Sequence, residues 1–285
     1  MLLLMGLGMQ LIAWPKDLVE GLVDLGYYVI RFDNRDSGLS TKFARAGKPN
    51  LAWTWLKSVL RLPIHSPYSL DDMATDALGV LNALGIARAH LVGVSMGGMI
   101  AQIVAAKHPR RVLSLTSIMS SSGRRGLPGP TREARAALMS RPAKPGNIDS
   151  VLAHAAGVWR VIGSPSYPTS DVHLRQRVAA ALARNVCPAG VARQIQAIAA
   201  SGDRSKLLQT IQAPSLVIHG AADPLIPLAC GADTANQIPN ARLEVIEGMG
   251  RDLPAQLIER LIALIDANAQ GKMMPDPTPR LFEKQ

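Results

Sequence analysis

Short apolar runs alternate with amphipathic helical stretches along most of this 285-residue chain, and this alternation restricts its fold more than any other feature. The runs have strand length and are apolar throughout, which is typical of strands covered on both faces. The order therefore predicts an α/β protein: a mostly parallel sheet with helices on both faces. The six predicted strands are residues 2–5, 27–32, 90–94, 112–119, 216–219 and 242–246, and the helices between and after them are 15–25, 70–84, 97–108 and 253–267.

The alternation breaks between the fourth and fifth predicted strands. Residues 123–206 begin with turn-forming Gly and Pro residues and then show helical patterns at 132–140, 148–162, 171–185 and 189–201, without a convincing strand. We therefore predict a helical cap, residues 123–210, inserted into a core of residues 1–122 and 211–270. Residues 271–285 carry three prolines at alternate positions, which predicts a disordered tail.

Charge is distributed unevenly between these parts. The chain has a formal net charge of +10, and residues 123–210 alone contain 13 Lys and Arg against 4 Asp and Glu, or +9. A solvated basic surface explains this excess, and steering of an anionic substrate is the functional alternative. The sequence has no RNA-binding, zinc or basic-helix signature, and no apolar run long enough to span a bilayer. We expect neither a nucleic-acid nor a membrane partner.

A G-x-S-x-G pattern follows the third predicted strand directly and opens a helix. Gly93, Ser95 and Gly97 occupy its three fixed positions. In this context the pattern is typical of a sharp strand-to-helix turn that presents a nucleophilic serine, with small residues on both sides. The alternative is a tight turn whose glycines serve packing alone.

A nucleophilic serine needs donors for the oxyanion that forms on its substrate. The N–H of Met96 lies at the start of a helix, where donors are unpaired and the helix dipole favours an anion. The loop after the first strand contains Gly6-Leu7-Gly8, and the N–H of Leu7 is a candidate second donor. These glycines could also serve the turn alone.

Asp223 is the candidate acid that would orient a catalytic base. It follows the fifth predicted strand, and parallel sheets place their sites beyond the carboxyl ends of the strands. Ser95 and Asp223 would then share one rim of the sheet. Alternatively, Asp223 only caps the turn before Pro224.

Together, these features resemble the α/β-hydrolase superfamily, and in particular the aclacinomycin methylesterase-like esterases. The resemblance is carried by the elbow VGVSMGG (92–98), by RFDNRDSGLS (31–40) and by the order Ser95 then Asp223. It covers residues 2–268. It implies a serine hydrolase with a helical cap that acts on small esters without a metal or organic cofactor.

One departure from the family concerns the catalytic base. The family places its histidine after the last strand, in a segment similar to GMGHDLP, and this chain reads GMGRDLP (248–254). Arg251 has donors but no acceptor and stays protonated, so it cannot take the proton from Ser95. We expect Arg251 to form a buried or half-buried ion pair with Asp223, which would preserve the fold and impair the chemistry. None of the six histidines is an obvious substitute.

A second departure concerns the beginning of the sheet. Members of the superfamily usually carry one or two strands ahead of the one that opens this chain. The resemblance therefore implies that N-terminal strands are missing and that residues 27–32 form a sheet edge.

The sequence thus predicts a carboxylesterase-like serine hydrolase that works through an acyl-enzyme and is impaired by Arg251. The alternative is a pseudoenzyme of the same fold that binds a small ligand under the cap. Apolar residues in the insertion could line a ring or acyl pocket or pack only on the core, so the substrate is open, as is the oligomeric state. Two isolated cysteines and the absence of a signal-peptide pattern predict a cytoplasmic protein.

Overall fold

The computed structural model describes residues 1–144 and 146–272 and contains one six-stranded, fully parallel sheet. The strand order is β2-β1-β3-β4-β5-β6, which places β2 at one edge and β6 at the other. The strands are β1 (Leu2–Leu4), β2 (Ile30–Arg31), β3 (Ala89–Val94), β4 (Val112–Ile118), β5 (Ser215–Gly220) and β6 (Arg242–Ile246).

Eleven helices are present in the described part of the chain. Four precede β4, five lie between β4 and β5, and two follow β5. They are α1 (Lys16–Asp24), α2 (Leu51–Val59), α3 (Leu70–Ala83), α4 (Met96–Lys107), α5 (Arg132–Met139), α6 (Ile148–Ile162), α7 (Asp171–Arg184), α8 (Pro188–Ser201), α9 (Ser205–Leu208), α10 (Leu228–Gln237) and α11 (Ile258–Ala269).

The sheet separates two apolar cores, as the uniformly apolar strands predict. Side chains alternate across a strand, so Leu2 and Leu4 of β1 enter the core with α3 and α4, whereas Leu3 enters the core with α1 and α11. All three leucines are fully buried. The prediction of a parallel sheet with helices on both faces is confirmed.

The second strand is shorter than predicted. Residues 27–32 were expected to form it, but only Ile30–Arg31 pair with β1. Ahead of β2, Tyr27 and Val29 pack into the core around α1 and α11, and the Tyr27 hydroxyl donates to Asp266, 2.6 Å away. Tyr27 and Val29 are therefore used for helix packing, not for strand pairing.

Helix ends follow their local signals. The Ser69 side chain accepts from the Asp72 N–H, and the Asp72 side chain accepts from the Ser69 N–H, so a capping box begins α3. The last helix begins at Ile258, later than the predicted residue 253, because Pro254 leads into a 3₁₀ turn at Ala255–Leu257 first.

Among its described residues, the segment between β4 and β5 contains helices joined by loops and no strand. Helices α5 to α8 lie within one residue of the predicted ranges, and α9 is additional. The predicted tail, residues 271–285, lies outside the described residues from position 273 onward. No helix of the described chain combines the length and hydropathy needed to cross a bilayer.

Candidate active site

Ser95 lies at a strained turn between β3 and α4. Its φ of 58° and ψ of −120° are unfavourable for a residue with a side chain. A Cβ on Gly93 would lie 2.3 Å from the Gly97 carbonyl oxygen, and one on Gly97 would lie 2.1 Å from the Leu4 carbonyl oxygen. Backbone atoms surround both glycines, so the glycines of the pattern are required by packing around this turn.

Arg251 connects the two predicted catalytic side chains. Its Nη1 lies 2.9 Å from Asp223 Oδ2, so the predicted ion pair is present, and its Nη2 donates to Ser95 Oγ. Nη1 also donates to the Met119 carbonyl oxygen at 2.5 Å. The Arg251 side chain is only 7% exposed, and that of Asp223 is fully buried. The guanidinium therefore occupies the space between nucleophile and acid.

The remaining oxygen of Asp223 is satisfied by backbone. Oδ1 accepts from the N–H groups of Leu225 and Ile226, both at 2.9 Å. These bonds fix the turn before α10, as the capping alternative predicts, while Oδ2 faces Arg251. Asp223 thus serves the turn and the ion pair together.

The end of α6 holds the loop that carries Arg251. The Arg251 N–H donates to the Ile162 carbonyl at 2.8 Å, and the Gly250 N–H donates to Ser164 Oγ at 2.9 Å. Asp252 Oδ1 in turn accepts from the N–H and hydroxyl of Ser164. Burial raises the pKa of Asp252, although the bonds from Ser164 oppose the shift. Residue 251 is therefore held from two sides.

His219 is the histidine nearest Asp223 in sequence, and its hydrogen bond goes to a backbone carbonyl instead. Its Nε2 lies 3.8 Å from Asp223 Oδ2 but 2.8 Å from the Ile226 carbonyl oxygen, to which it donates. Burial lowers the pKa of His219, which is completely buried, so the ring is neutral and the longer contact is not an ion pair. Among the described residues, no histidine lines the cavity beside Ser95.

The loop after β1 passes directly beside Ser95. A Cβ on Gly6 would lie 3.2 Å from the Ser95 Cβ, and Leu7 lines the same cavity as Ser95. Met96 is the first residue of α4, where N–H groups lack helical partners. The structure thus brings both candidate donors, Leu7 and Met96, next to Ser95.

A cavity of about 730 Å³ lies over Ser95 and Arg251. Its wall is mostly apolar and combines the sheet rim with the helices between β4 and β5, from which Val158, Trp159 and Ile162 contribute. This volume fits a drug-sized molecule.

Sequence reasoning missed two arginines in this cavity, Arg124 and Arg177. Arg177 of α7 lines it, lies 5.8 Å from the Trp159 ring centroid, and has its pKa lowered by burial, with nearby Asp252 opposing the shift. Its place on an ordinary amphipathic helix gave no signal. The Met119 carbonyl was missed as well, because backbone acceptors carry no sequence signature.

The RFDNRDSGLS segment joins the sheet rim to α7 and α8. Asp33 pairs with Arg184 at 2.6 Å, and Asp36 pairs with Arg193 at 2.7 Å. Asp36 also accepts from the Tyr68 hydroxyl, and both partners of the Asp36–Arg193 pair are almost fully buried. The motif therefore anchors the helices that stand beside the cavity.

Comparison with known proteins identifies the family to which this fold belongs. Residues 1–161 match the family model described as the alpha/beta hydrolase fold. The chain is 30% identical to the rhodomycin D methylesterase DauP of a Streptomyces species over 95% of this chain and 91% of that enzyme. It is equally similar, with the same coverage, to the rhodomycin D methylesterase DnrP of Streptomyces peucetius.

Solved structures share the fold at lower sequence identity. A meta-cleavage product hydrolase of Pseudomonas fluorescens has a TM-score of 0.72 at 20% identity, covering 95% of this chain and 90% of that one. An N-acyl homoserine lactone degrading enzyme, Est816, has a TM-score of 0.65 at 25% identity, covering 95% and 92%. With a strained serine elbow, a parallel sheet and relatives matched over nearly their whole length, the chain belongs to the α/β-hydrolase family.

Proposed function

We propose that this protein is a carboxylesterase-type serine hydrolase whose catalysis is impaired by Arg251. The observation that carries the proposal is the single guanidinium that donates to both Ser95 Oγ and Asp223 Oδ2. In a Ser-His-Asp triad these two atoms bond to opposite sides of one imidazole. Arg251 therefore occupies the place of the base and has no lone pair with which to accept a proton.

The proposal assigns the other parts of an ester-hydrolysing site to residues around Arg251. Ser95 is the proposed nucleophile, Asp223 the acid, and the N–H groups of Leu7 and Met96 the oxyanion donors. The strain at Ser95, the start of α4 beside it and the close approach of Gly6 support these roles. In the acylation step Ser95 Oγ bonds to the ester carbonyl carbon, the bond from that carbon to the alkoxy oxygen breaks, and the serine proton leaves with the alcohol. Water then splits the bond between the acyl group and Oγ, which releases the acid and restores the serine hydroxyl.

The helical segment between β4 and β5 is the proposed cap over this site. Residues 123–210 would form it, with residues 1–122 and 211–270 as the core, because α6 and α7 supply cavity wall above Ser95. The substrate class is a small ester with a bulky apolar part, which the apolar wall and the similarity to two rhodomycin D methylesterases support. A location in the cytoplasm stays a prediction.

A second candidate is a non-catalytic protein that binds a small ligand in the same cavity. It is favoured by the same arginine, since Ser95 Oγ already accepts a strong charged donor and the described part of the cavity wall contains no histidine. The two candidates differ in what happens when a base is supplied.

We predict that Arg251→His raises kcat for p-nitrophenyl esters at least about a hundredfold, because general-base catalysis contributes about 10²–10⁴-fold to such reactions. Stopped-flow or steady-state release of p-nitrophenol measures the gain. In the same background, Ser95→Ala removes it, because the nucleophile is lost. Arg251→Gln is the matched control: its amide nitrogen cannot accept a proton, so the variant stays as slow as the parent.

Two outcomes would refute the esterase proposal. A folded Arg251→His variant with no gain, on esters that demonstrably occupy the cavity, favours the ligand-binding candidate. A gain that survives Ser95→Ala shows that the reaction does not use the proposed nucleophile. Thermal unfolding of each variant reports whether it is folded.

A further inference from the structure

Helix α2 exposes its large apolar side chains to solvent, whereas an ordinary surface helix buries them. Its one buried residue is Thr54, and it packs against the neighbouring α8. The large apolar side chains point outward instead: Trp53, Trp55 and Val59 are 54%, 67% and 58% exposed. Amphipathic helices of soluble proteins normally bury such residues on the core side.

The exposed apolar surface continues past the end of the helix. Leu60 and Leu62 are 56% and 47% exposed, and Leu56 on the helix is 36% exposed. We call the set formed by Trp53, Trp55, Leu56, Val59, Leu60 and Leu62 the α2 patch. Large contiguous apolar patches on a protein surface mark sites that a protein partner, a membrane or a ligand covers.

Charge around the α2 patch indicates which of these occupants fits it. Between Ser37 and Leu70 the chain contains five Lys and Arg residues and no Asp or Glu. Lys57 lies over the Trp53 ring, 5.7 Å from its centroid, while Lys48 and Arg61 are exposed on either side of the helix in sequence. A face of tryptophan and leucine framed by cations is typical of helices that lie in the interface of an anionic bilayer.

A second copy of the chain fits this surface less well. Each copy carries a formal charge of +10, and pairing two α2 patches would bring two acid-free basic segments together. An anionic lipid surface instead complements both the apolar face and its cations.

The α2 patch also lies next to the candidate active site. A second cavity of about 650 Å³ is lined by Val59, Arg61 and Leu62 on one side. It shares Met99 and Ile198 as wall residues with the cavity over Ser95. The cavity beside the α2 patch therefore adjoins the cavity over Ser95.

We propose that the α2 patch docks the protein on anionic lipid surfaces, with the helix lying in the plane of the interface. The tryptophans insert at the headgroup level, and Lys48, Lys57 and Arg61 contact lipid phosphates. This interaction differs from the sequence-based expectation of no membrane partner, which rested on the absence of a spanning segment. It is independent of any catalytic activity.

Vesicle binding tests the proposal on the intact protein. We expect cosedimentation with vesicles of phosphatidylcholine mixed with phosphatidylglycerol, a blue shift of tryptophan emission, and at least tenfold weaker binding to phosphatidylcholine alone. Replacing Trp55→Ser together with Val59→Ser should weaken binding at least tenfold, and Lys48→Gln with Arg61→Gln should weaken it similarly while lowering its salt dependence.

Matched variants separate the α2 patch from general stickiness. Val23→Ser with Tyr28→Ser removes two comparably exposed apolar side chains elsewhere, and Arg132→Gln with Arg135→Gln removes two exposed charges on α5. Both pairs should bind as the parent does. The proposal would be overturned if these control variants lost vesicle binding equally, or if the parent did not bind anionic vesicles. It would also be overturned if sedimentation velocity showed a dimer that Trp55→Ser dissociates while no vesicle binding occurs.

Discussion

Arg251 acts in the structure as a buried cation with three acceptors, not as a surface charge. Removing ions from water costs several kcal/mol per ion, and only close pairing with full hydrogen bonding offsets that cost. Here Asp223 supplies the opposite charge while Ser95 Oγ and the Met119 carbonyl take further donors. The arginine is therefore integrated into the fold at the position where the proposed mechanism needs a base.

Stability should depend strongly on this residue. We predict that Arg251→Met lowers the free energy of unfolding by about 3–5 kcal/mol, because Asp223 is left as a buried, unpaired carboxylate. Urea unfolding measures the change. Arg260→Met provides the control: its pair with Glu244 is 42% and 17% exposed, and such pairs contribute about 0–1 kcal/mol.

A double-mutant cycle shows whether the cause is the lost charge partner. Asp223→Asn keeps an oxygen for the N–H groups of Leu225 and Ile226 and removes the charge. Combined with Arg251→Met, it should recover part of the loss. Purely additive effects would contradict the ion-pair explanation.

At the scale of elements, the end of β5 carries a pH-sensitive group. His219 is buried between this strand and α10, where a Cβ on Gly231 would lie 2.2 Å from its Nδ1. Nδ1 has no hydrogen-bond partner in the described structure, and burial lowers the pKa of the ring from 6.5. Packing of α10 on β5 thus depends on a neutral imidazole.

The sign of the pH effect follows from that direction. Below pH 6.5 the unfolded chain takes up a proton on His219 that the folded chain does not, so the free energy of unfolding falls as pH falls. We predict that His219→Gln, which can still donate to the Ile226 carbonyl, flattens this dependence between pH 6.5 and 5 by up to about 1.4 kcal/mol per pH unit. Urea unfolding at several pH values measures the slope, and an unchanged slope would show that another group titrates.

The sequence predicts an element well when its apolar side chains face the core in the usual periodic pattern. Strands buried on both faces and helices with an apolar core side are found where predicted, whereas β2 shortened because Tyr27 and Val29 pack on helices. Helix α2 was not predicted, since a helix whose buried side chain is a threonine does not show the expected pattern.

The candidate site divides in the same way. Ser95, Asp223 and Arg251 carry motif signals, and the Arg251–Asp223 pair follows from opposite charges on one rim. The hydrogen bond from Arg251 to Ser95 and the one from the Gly250 N–H to Ser164 Oγ depend on loop geometry, which no local sequence pattern encodes.

For the molecule as a whole, the decisive contacts are those between the sheet rim and the helices over it. The helical segment 123–210 carries +9 of the +10 formal charge, so its basic residues repel one another. Two of them, Arg184 and Arg193, are neutralised by Asp33 and Asp36 of the rim. These pairs couple α7 and α8 to the core that carries Ser95.

Asp36 provides the sharpest test of that coupling. Burial opposes its ionisation, but hydrogen bonds from Arg193 and Tyr68 prevail and lower its pKa below 3.8. Its stabilisation is therefore complete above that pH and lost as pH falls through the lowered value. We predict that Asp36→Asn costs about 3–5 kcal/mol at pH 7, because it leaves the Arg193 guanidinium buried without a counter-charge. Asparagine tolerates the positive φ of 67° at this position, so backbone strain does not confound the comparison.

The loss should be localised as well as large. Hydrogen–deuterium exchange is expected to speed up in α7 and α8 of Asp36→Asn before it does in β3 and β4, because the anchored helices open first. Asp71→Asn is the control, since its pair with Lys107 is about half exposed and contributes about 0–1 kcal/mol. If Asp36→Asn instead accelerates exchange uniformly across strands and helices, the sheet and the helices over it unfold as one unit and the rim pairs do not act as a separate anchor.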